Sequence, residues 1–225
     1  MVKSQHKYID KYPIKRTDKY LILGTIHPYG NSELDFFYGN AKTFWGILSN
    51  ATKLNFNTLY NILEIFNQNK IAISDMILEC EREDETVTKD SDLYNLKLNK
   101  DIINKIIHSE IETIFFTSAF GKNNAAKLFF DLFELNIQVP KNWKETYEFY
   151  IAIKNKKIKC IILLSPSGAS NIGISKSKIY QSKKDEYVKV YEKPVKQFKI
   201  DFYQSKFEEA FSANKTLERN SLPFG

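Results

Sequence analysis

The sequence has few of the residues that build metal sites or disulfide frameworks. Its two cysteines, Cys80 and Cys160, are far apart and lie in apolar surroundings. Two cysteines argue against a disulfide framework and are too few for a four-cysteine zinc or iron–sulfur site. The three histidines, His6, His27 and His108, are too scattered for a metal-binding motif. We therefore expect no metal ion and no other cofactor.

Long apolar runs are also absent from the sequence. No stretch approaches the roughly 18 apolar residues of a membrane span, and residues 1–16 lack the apolar segment of a signal peptide. We therefore expect a cytoplasmic, monomeric protein with no membrane partner. The 225 residues suit one compact domain. We predict an N-terminal arm over residues 1–19, one domain over 20–211 and an unstructured tail over 212–225.

The positive charge of the chain is concentrated in one segment. The net charge is +6, and residues 176–199 contain eight lysines against three acidic residues, interleaved with aromatic side chains. A basic segment of this kind can neutralise the phosphates of a nucleic acid. A solvated face of a lysine-rich protein is an equally good interpretation.

Apolar runs alternate with helical patterns along the chain, which predicts a three-layer α/β/α fold around a mostly parallel sheet. Strands are predicted at residues 20–24, 71–77, 113–117 and 158–164, with a hairpin partner at 147–153. Helices are predicted from residue 44 and over residues 57–66, 99–108, 121–135 and 198–211. The acidic stretch 79–92 carries no apolar period, so we predict a surface loop there.

Two of the predicted strands end in loops with useful chemistry. The strand at 20–24 leads into residues 24–28, Gly-Thr-Ile-His-Pro, and the strand at 158–164 leads into residues 165–168, Ser-Pro-Ser-Gly. If both strands are parallel and central, their loops leave the same sheet edge and face one cleft. The first loop brings a titratable group. The second brings hydroxyls and backbone amides that suit a phosphate.

Four separated stretches resemble, in order, motifs of the uracil-DNA glycosylase superfamily. They are residues 24–28, 37–45, 71–83 and 165–170. The second resembles the aromatic and Phe-Trp signature of the mismatch-specific uracil and hypoxanthine-DNA glycosylases. The third resembles the strand and Cys-Glu-Arg-Glu segment of the hypoxanthine group, and the fourth resembles the second motif of the mismatch-specific group.

The resemblance implies a DNA glycosylase with a uracil-DNA glycosylase-like fold. Such an enzyme flips a deaminated base, uracil or hypoxanthine, out of duplex or single-stranded DNA and hydrolyses its N-glycosidic bond without a metal. Because the departing base leaves an oxocarbenium-like sugar, the site must stabilise charge and position a water molecule.

The resemblance also implies which residues bind the base, the sugar and the DNA backbone. The candidates that orient or deprotonate water, His27 and Asp75, come from the chemistry and position of these residues and not from the family motifs. The base and sugar are bound by Gly24, Thr25, Pro28, Phe37, Tyr38 and Asn40, with Phe37 stacking on the base. The DNA backbone is held by Ser165, Pro166, Ser167, Gly168 and Ser170. Lys42 is a further candidate because its charge suits a phosphate or the leaving base.

The sequence departs from the family pattern at two places. His27 stands where the family has aspartate, asparagine or another polar residue near the proline, and Lys42-Thr43 stands where the hypoxanthine group has asparagine before Phe-Trp. A catalytically inactive nucleic-acid-binding protein of the same fold is therefore an alternative. An α/β enzyme acting on a nucleotide-sized small molecule is another.

Each candidate also has a purely structural interpretation. His27 could be a loop histidine bonded to backbone, Asp75 a turn or capping residue, and Lys42 a solvent-facing lysine. Phe37 could be an ordinary core aromatic. The glycosylase interpretation requires the loops that carry His27 and Ser167 to converge beside Phe37.

Overall fold

The computed structural model of the protein describes residues 1–27, 33–133 and 139–212. Its strands are β1 (Val2–Gln5), β2 (Tyr20–Gly24), β3 (Ile71–Asp75), β4 (Ile77–Arg82), β5 (Tyr94–Leu98), β6 (Thr113–Phe116), β7 (Glu148–Ile153) and β8 (Lys156–Ile162). Its α-helices are α1 (Phe44–Thr52), α2 (Leu59–Gln68), α3 (Ile102–Ile107), α4 (Ala125–Leu132), α5 (Trp143–Thr146), α6 (Asn171–Ser175), α7 (Lys178–Gln181), α8 (Lys184–Val190) and α9 (Pro194–Phe207). Short 3-10 helices lie at Asp90–Asp92 and Gly168–Ser170.

The central sheet is mostly parallel. Within the described residues its strand order is β3-β2-β6-β8-β7. The pairings of β2 with β3, β2 with β6 and β6 with β8 are parallel. β7 is antiparallel to β8 and precedes it by a short turn. The predicted parallel strands and the predicted hairpin are therefore confirmed, except that the strand expected over residues 71–77 ends at Asp75 and Ile77 begins β4.

Helices cover both faces of this sheet. Alternate side chains of a strand point to opposite faces, and on β2 Ile22 packs in one apolar cluster while Leu21 and Leu23 pack in another. The first cluster includes residues of α1, α2 and α9, and the second includes residues of α3 and α4. Burial on both faces explains why β2 is a continuous apolar run. The fold is mixed α/β, and its layering is consistent with three layers.

The predicted surface loop over residues 79–92 is wrong at its start. β4 continues to Arg82 and pairs antiparallel with β1 and β5, which makes a second sheet of order β1-β4-β5 in the described chain. Cys80 and Arg82 are buried, whereas Glu79 forms ion pairs with lysines of both neighbouring strands. Cys80 and Arg82 are two positions apart and both point inward, as alternate residues of a strand do. Because a charged residue is normally expected on the surface, this alternation of buried and exposed positions does not show in the sequence.

The N-terminal segment packs against the rest of the described chain. Residues 1–19 contribute β1, and the side chains of Tyr8 and Ile9 are buried in the first apolar cluster. Residues 213–225, which form nearly all of the predicted tail, lie outside the described residues.

The predicted helices form with shifted boundaries. The helix expected over residues 121–135 begins at Ala125, and the helix expected over 198–211 begins at Pro194. Proline suits that position because the first amides of a helix have no helical partner. In the described part of the chain, no helix combines the length and apolarity that crossing a bilayer needs.

Candidate functional site

The carboxyl ends of β2, β3 and β6 meet where the connections of the sheet change direction. β2 is flanked by β3 on one side and by β6 on the other, so their boundary is a topological switch point, where open α/β sheets bind ligands. Gly24 pairs with Asp75, and the N–H of Thr117 donates to the carbonyl of Leu23 at 3.1 Å. Gly24, Asp75 and Thr117 therefore lie side by side at one sheet edge.

Gly24 leaves room for two polar side chains at the end of β2. A Cβ atom placed on Gly24 would overlap the Asp75 carboxylate and the Tyr38 hydroxyl. Tyr38 has a left-handed backbone (φ 62°), its ring stacks on Phe44 with 4.5 Å between centroids, and its hydroxyl donates to Thr117 Oγ1 at 2.8 Å. Burial raises the pKa of Tyr38 well above its ordinary value. The phenol therefore stays protonated at neutral pH.

Asp75 is oriented by His6 of the N-terminal segment. His6 Nε2 lies 2.8 Å from Asp75 Oδ2, and both side chains are almost fully buried. His6 Nδ1 accepts the backbone N–H groups of Tyr8 and Ile9. Because Nδ1 is an acceptor, the ring proton is assigned to Nε2 and points at Asp75. Asp75 Oδ2 is therefore the acceptor of this bond.

His27 lies against this pair and is neutral at neutral pH. It is 8% exposed, and its ring centroid is 4.8 Å from that of His6 and 5.2 Å from that of Tyr8. Burial, followed by the electrostatic effect of His6, lowers the pKa of His27 to about 4 against an opposing effect of Asp75. Within the described residues, His27 Nδ1 has no hydrogen-bond partner. A buried nitrogen without a partner is costly, and a substrate or a water molecule can satisfy it.

A second carboxyl group, that of Asp90, reaches the same strand ends. Asp90 opens the 3-10 helix between β4 and β5. The Thr25 hydroxyl donates to Asp90 Oδ2 at 2.8 Å and lies 3.2 Å from Ser118 Oγ. Burial raises the pKa of Asp90 to about 6, and Asp75 adds to the shift, while the Thr25 hydrogen bond and Arg82 oppose it. This carboxyl group therefore exchanges its proton close to neutral pH.

Arg82 holds three neighbouring segments from the interior. It is 2% exposed, and its guanidinium donates to Ser4 Oγ at 2.9 Å, to the carbonyl of Val87 at 2.7 Å and to the carbonyl of His27 at 3.1 Å. These bonds link β4 to β1, to the acidic loop and to the loop after β2. Arg82 therefore fixes the backbone position of His27.

Phe37 lies beside the site but is sealed from solvent. Its ring is 0% exposed, with the rings of His6 and Tyr8 at centroid distances of 5.2 and 5.7 Å. The N-terminal segment that carries His6 and Tyr8 therefore covers both Phe37 and His27. The stacking of a base on Phe37 stays a prediction, and it requires residues 6–8 to move aside.

The turn at residues 165–170, hereafter the serine turn, leaves the same sheet edge after β8. Its strand lies two positions from β2, a separation of about 10 Å between strand axes. Ser167 Oγ accepts the N–H of Ala169 at 3.2 Å. The Ser170 hydroxyl donates to the carbonyls of Ser165 and Ser167 at 2.9 and 2.6 Å. The turn is therefore compact and presents small side chains.

A buried lysine of α9 supports the serine turn from the interior. Lys199 is buried, and its ammonium group donates to the carbonyl of Ser167 at 2.8 Å and to Ser170 Oγ at 3.0 Å. Burial lowers the pKa of Lys199 to about 8. The shape of the turn therefore depends on a cation held below it.

The serine turn is also connected to the strand ends of β2 through aromatic residues. The Tyr203 hydroxyl donates to the carbonyl of Leu164 at 2.9 Å, directly before the turn. The Tyr203 ring packs 6.2 Å from that of Phe44, and Phe44 in turn stacks on Tyr38. The aromatic core thus joins the two halves of the sheet edge.

The structure brings together part of the predicted site. The residues at the ends of β2 and β3 are Gly24, Thr25, His27, Asp75 and, by its hydroxyl, Tyr38. The serine turn is on the same edge but two strands away. Asn40 and Lys42 are exposed in a turn before α1, where Asn40 Oδ1 accepts the N–H of Lys42 at 2.7 Å. Pro28 lies outside the described residues.

Sequence reasoning missed four residues of this region, His6, Asp90, Arg82 and Lys199. His6 is 69 residues from Asp75, and Asp90 is 65 residues from Thr25, so no local pattern connects these pairs. The available signal was the Cys-Glu-Arg-Glu segment, since it contains Arg82 and leads into the loop that carries Asp90.

The donor groups of the described residues do not gather into a metal site of three or more histidine, cysteine, aspartate or glutamate side chains. Comparison with protein-family models, with curated proteins and with solved structures finds no match for the chain.

Proposed function

We propose that the protein is a DNA glycosylase of the uracil-DNA glycosylase superfamily, with the fold of that superfamily. Its reaction is hydrolysis of the N-glycosidic bond of a deaminated base, uracil or hypoxanthine, in DNA. The observation that carries the proposal is the meeting of Asp75, His27 and Tyr38 around the end of β2. A carboxylate, a neutral imidazole and a phenol provide a base for water and hydrogen bonds for a departing nucleobase.

In the proposed reaction Asp75 activates the attacking water. The His6 bond holds Oδ2 of Asp75, and Oδ1 lies above Gly24 in the space that a Cβ atom would fill. A water molecule bound to Oδ1 gives its proton to the carboxylate as its oxygen attacks C1′ of the sugar. The electrons of the C1′–N bond leave with the base. In the closed arrangement His6 keeps the carboxylate in one orientation, and this bond is given up when residues 6–8 move aside for DNA.

His27 is suited to bind the base or the water. A neutral imidazole has one nitrogen that donates a hydrogen bond and one that accepts. Within the described residues Nδ1 of His27 has no partner, so this nitrogen is available to bond the base or the water. Its pKa of about 4 keeps the ring neutral across the physiological range. Arg82 supports this role because it holds the His27 carbonyl.

The DNA backbone is proposed to lie along the serine turn and the basic segment that follows it. Seven of the eight lysines in residues 176–199 are exposed, the exception being Lys199. Ile172, between the serine turn and these lysines, is 70% exposed. An exposed apolar side chain beside phosphate-binding groups suits insertion into a base stack from which one nucleotide has been flipped.

A nucleic-acid-binding protein without catalysis is the second candidate. The observation that favours it is the burial of Phe37 and His27. With residues 6–8 in place, a flipped base does not reach either ring. The glycosylase function therefore includes an opening of the N-terminal segment when DNA binds, a movement of the kind that many enzymes use to admit substrate.

The test uses the purified full chain and DNA duplexes that carry a single uracil, hypoxanthine or xanthine. Abasic sites are detected as strand breaks after alkali. We expect breaks with the wild-type protein, and a loss of roughly 10²–10⁴-fold in rate for Asp75→Asn and for His27→Ala. His108→Ala is the matched control, because His108 is exposed at the end of α3.

The outcomes separate the two candidates. Salt-sensitive DNA binding without abasic sites supports the binding protein and rejects the enzyme. Negligible DNA affinity at roughly 50 mM salt, where phosphate contacts are strongest, rejects both.

A further inference from the structure

Asp90 occupies a defined place at the strand ends and has no role in the reaction as described above. Its carboxyl group is reached by the hydroxyl of Thr25, the residue that follows β2. Its backbone carbonyl accepts the side-chain amide of Asn123 at 2.9 Å, and the same amide donates to the carbonyl of Leu93 at 3.0 Å. The loop that carries Asp90 is therefore fixed on both sides, by the end of β2 and by the loop after β6.

The hydrogen bonds around Asp90 have a direction. Ser118 Oγ accepts the N–H of Ala125 at 2.8 Å at the start of α4. Since the Thr25 proton is given to Asp90, the bond between Ser118 and Thr25 is donated by Ser118. Two hydroxyls in series therefore point at one oxygen of the carboxyl group, Oδ2. When this carboxyl group is protonated, its proton is therefore assigned to the other oxygen, Oδ1.

Asp90 and Asp75 differ in their surroundings. Asp75 accepts a hydrogen bond from a ring N–H of His6, whereas Asp90 accepts one from the hydroxyl of Thr25. Burial has the largest effect on the pKa of Asp90 and favours its protonated form. Two charged groups face this carboxyl group: Asp75 from β3 favours the protonated form, and Arg82 from β4 favours the ionised form. The phenol of Tyr38 lies near enough for Asp90 to raise its pKa.

Two carboxyl groups at one site with different surroundings are a means of dividing acid and base roles. We propose that Asp90 is the general acid of this site, which protonates the departing base while Asp75 accepts the proton of the attacking water. This inference rests on the glycosylase function proposed above.

The step balances as a hydrolysis. The C1′–N bond breaks with both electrons on the base, which takes the Asp90 proton. Water forms the new C1′–O bond and gives its proton to Asp75. The products are the free base and an abasic sugar, with Asp90 ionised and Asp75 protonated. Exchange with solvent returns both groups to their starting forms.

The experiment measures single-turnover cleavage by wild-type protein, Asp90→Asn and Asp92→Asn. Asparagine keeps an acceptor for Thr25 and lacks the transferable proton. Asp92 lies on the same 3-10 helix, where its carboxylate accepts the hydroxyl of Ser91, so Asp92→Asn controls for charge. For Asp90→Asn we expect a rate loss of roughly 10²–10⁴-fold with unchanged DNA affinity, and no loss for Asp92→Asn.

The pH profile distinguishes proton donation from a structural role. The wild-type rate should fall as pH rises through about 6, because Asp90 loses its proton there, and this decline should be absent in Asp90→Asn. Thr25→Val removes the bond that favours the ionised form, so the decline should move to higher pH. This second variant tests the inference independently of how well Asp90→Asn folds.

The results separate this inference from the proposed function. A wild-type protein that makes no abasic sites overturns the glycosylase function. A wild-type protein that makes them, with Asp90→Asn as fast as Asp92→Asn and with the same pH profile, overturns only the role of Asp90.

Discussion

Asp90 should make the folded protein less stable as pH rises from about 4 to about 6. Its pKa is about 6 in the folded protein, whereas the ordinary value is 3.8. The folded state therefore holds this proton to higher pH than the unfolded state, and the free energy of unfolding falls between these two values. A difference of about two pH units corresponds to about 3 kcal/mol of destabilisation above pH 6, as an upper value.

Asp90→Asn removes this cost because an amide does not ionise. At about pH 7.5 we expect the variant to be more stable than the wild type by about 1–3 kcal/mol, since part of the burial cost is shared by any polar group at this position. For a protein of this size, that is a rise in Tm of roughly 3–10 °C. Below about pH 3, where Asp90 is protonated in both states, the difference should disappear.

Denaturant unfolding across this pH range, read by circular dichroism, measures the difference directly, with Asp92→Asn as the control. A pH-independent difference, or a destabilised Asp90→Asn at neutral pH, would show that ionisation of Asp90 carries no such cost. A stabilising change that also slows base removal would show that the site retains a costly buried group for function.

Three further predictions concern the space at β2 and the proposed DNA surface. Gly24→Ala should displace the side chains of Asp75 and Tyr38 and lower the cleavage rate at least roughly 10²-fold. Gly173→Ala should leave the rate unchanged, because nothing lies within 4 Å of a new Cβ there, and equal rates for the two variants would contradict the packing at Gly24. Lys199→Met should weaken DNA binding by about tenfold, because it removes two charged hydrogen bonds to the serine turn. The salt dependence of binding should stay unchanged because the buried ammonium group contacts no phosphate, so a reduced salt slope in a binding titration would contradict this role of Lys199. Replacing Lys183 and Lys184, both exposed, by glutamine should reduce that slope by about 0.9 for each phosphate that these lysines neutralise; an unchanged slope would remove them from the DNA surface.

The parallel sheet was predictable because its strands carry strong local signals. β2, β6 and β8 are short apolar runs bounded by turn residues, and burial on both faces requires such runs. Their common direction follows from the helices between them, and it places the ends of β2 and β8 on one edge. The sequence therefore predicts the edge at which the polar cluster lies.

The composition of the polar cluster was less accessible. His6 and Asp90 meet their partners across 69 and 65 residues, so they are brought in by tertiary packing that no local pattern encodes. Arg82 is buried with its guanidinium bonded to three oxygens, an environment that charge alone does not predict. Phe37 illustrates the reverse case, because the resemblance implies an aromatic that stacks on a base, whereas the Phe37 side chain is fully buried.

The proposed chemistry is tested most sharply by the single-turnover rate of abasic-site formation on uracil and hypoxanthine duplexes, for wild-type protein beside Asp75→Asn. If Asp75 activates the water, the wild type removes the base and the variant is slower by roughly 10²–10⁴-fold, with DNA affinity retained. Base removal at equal rates by both proteins, or by neither, would contradict it.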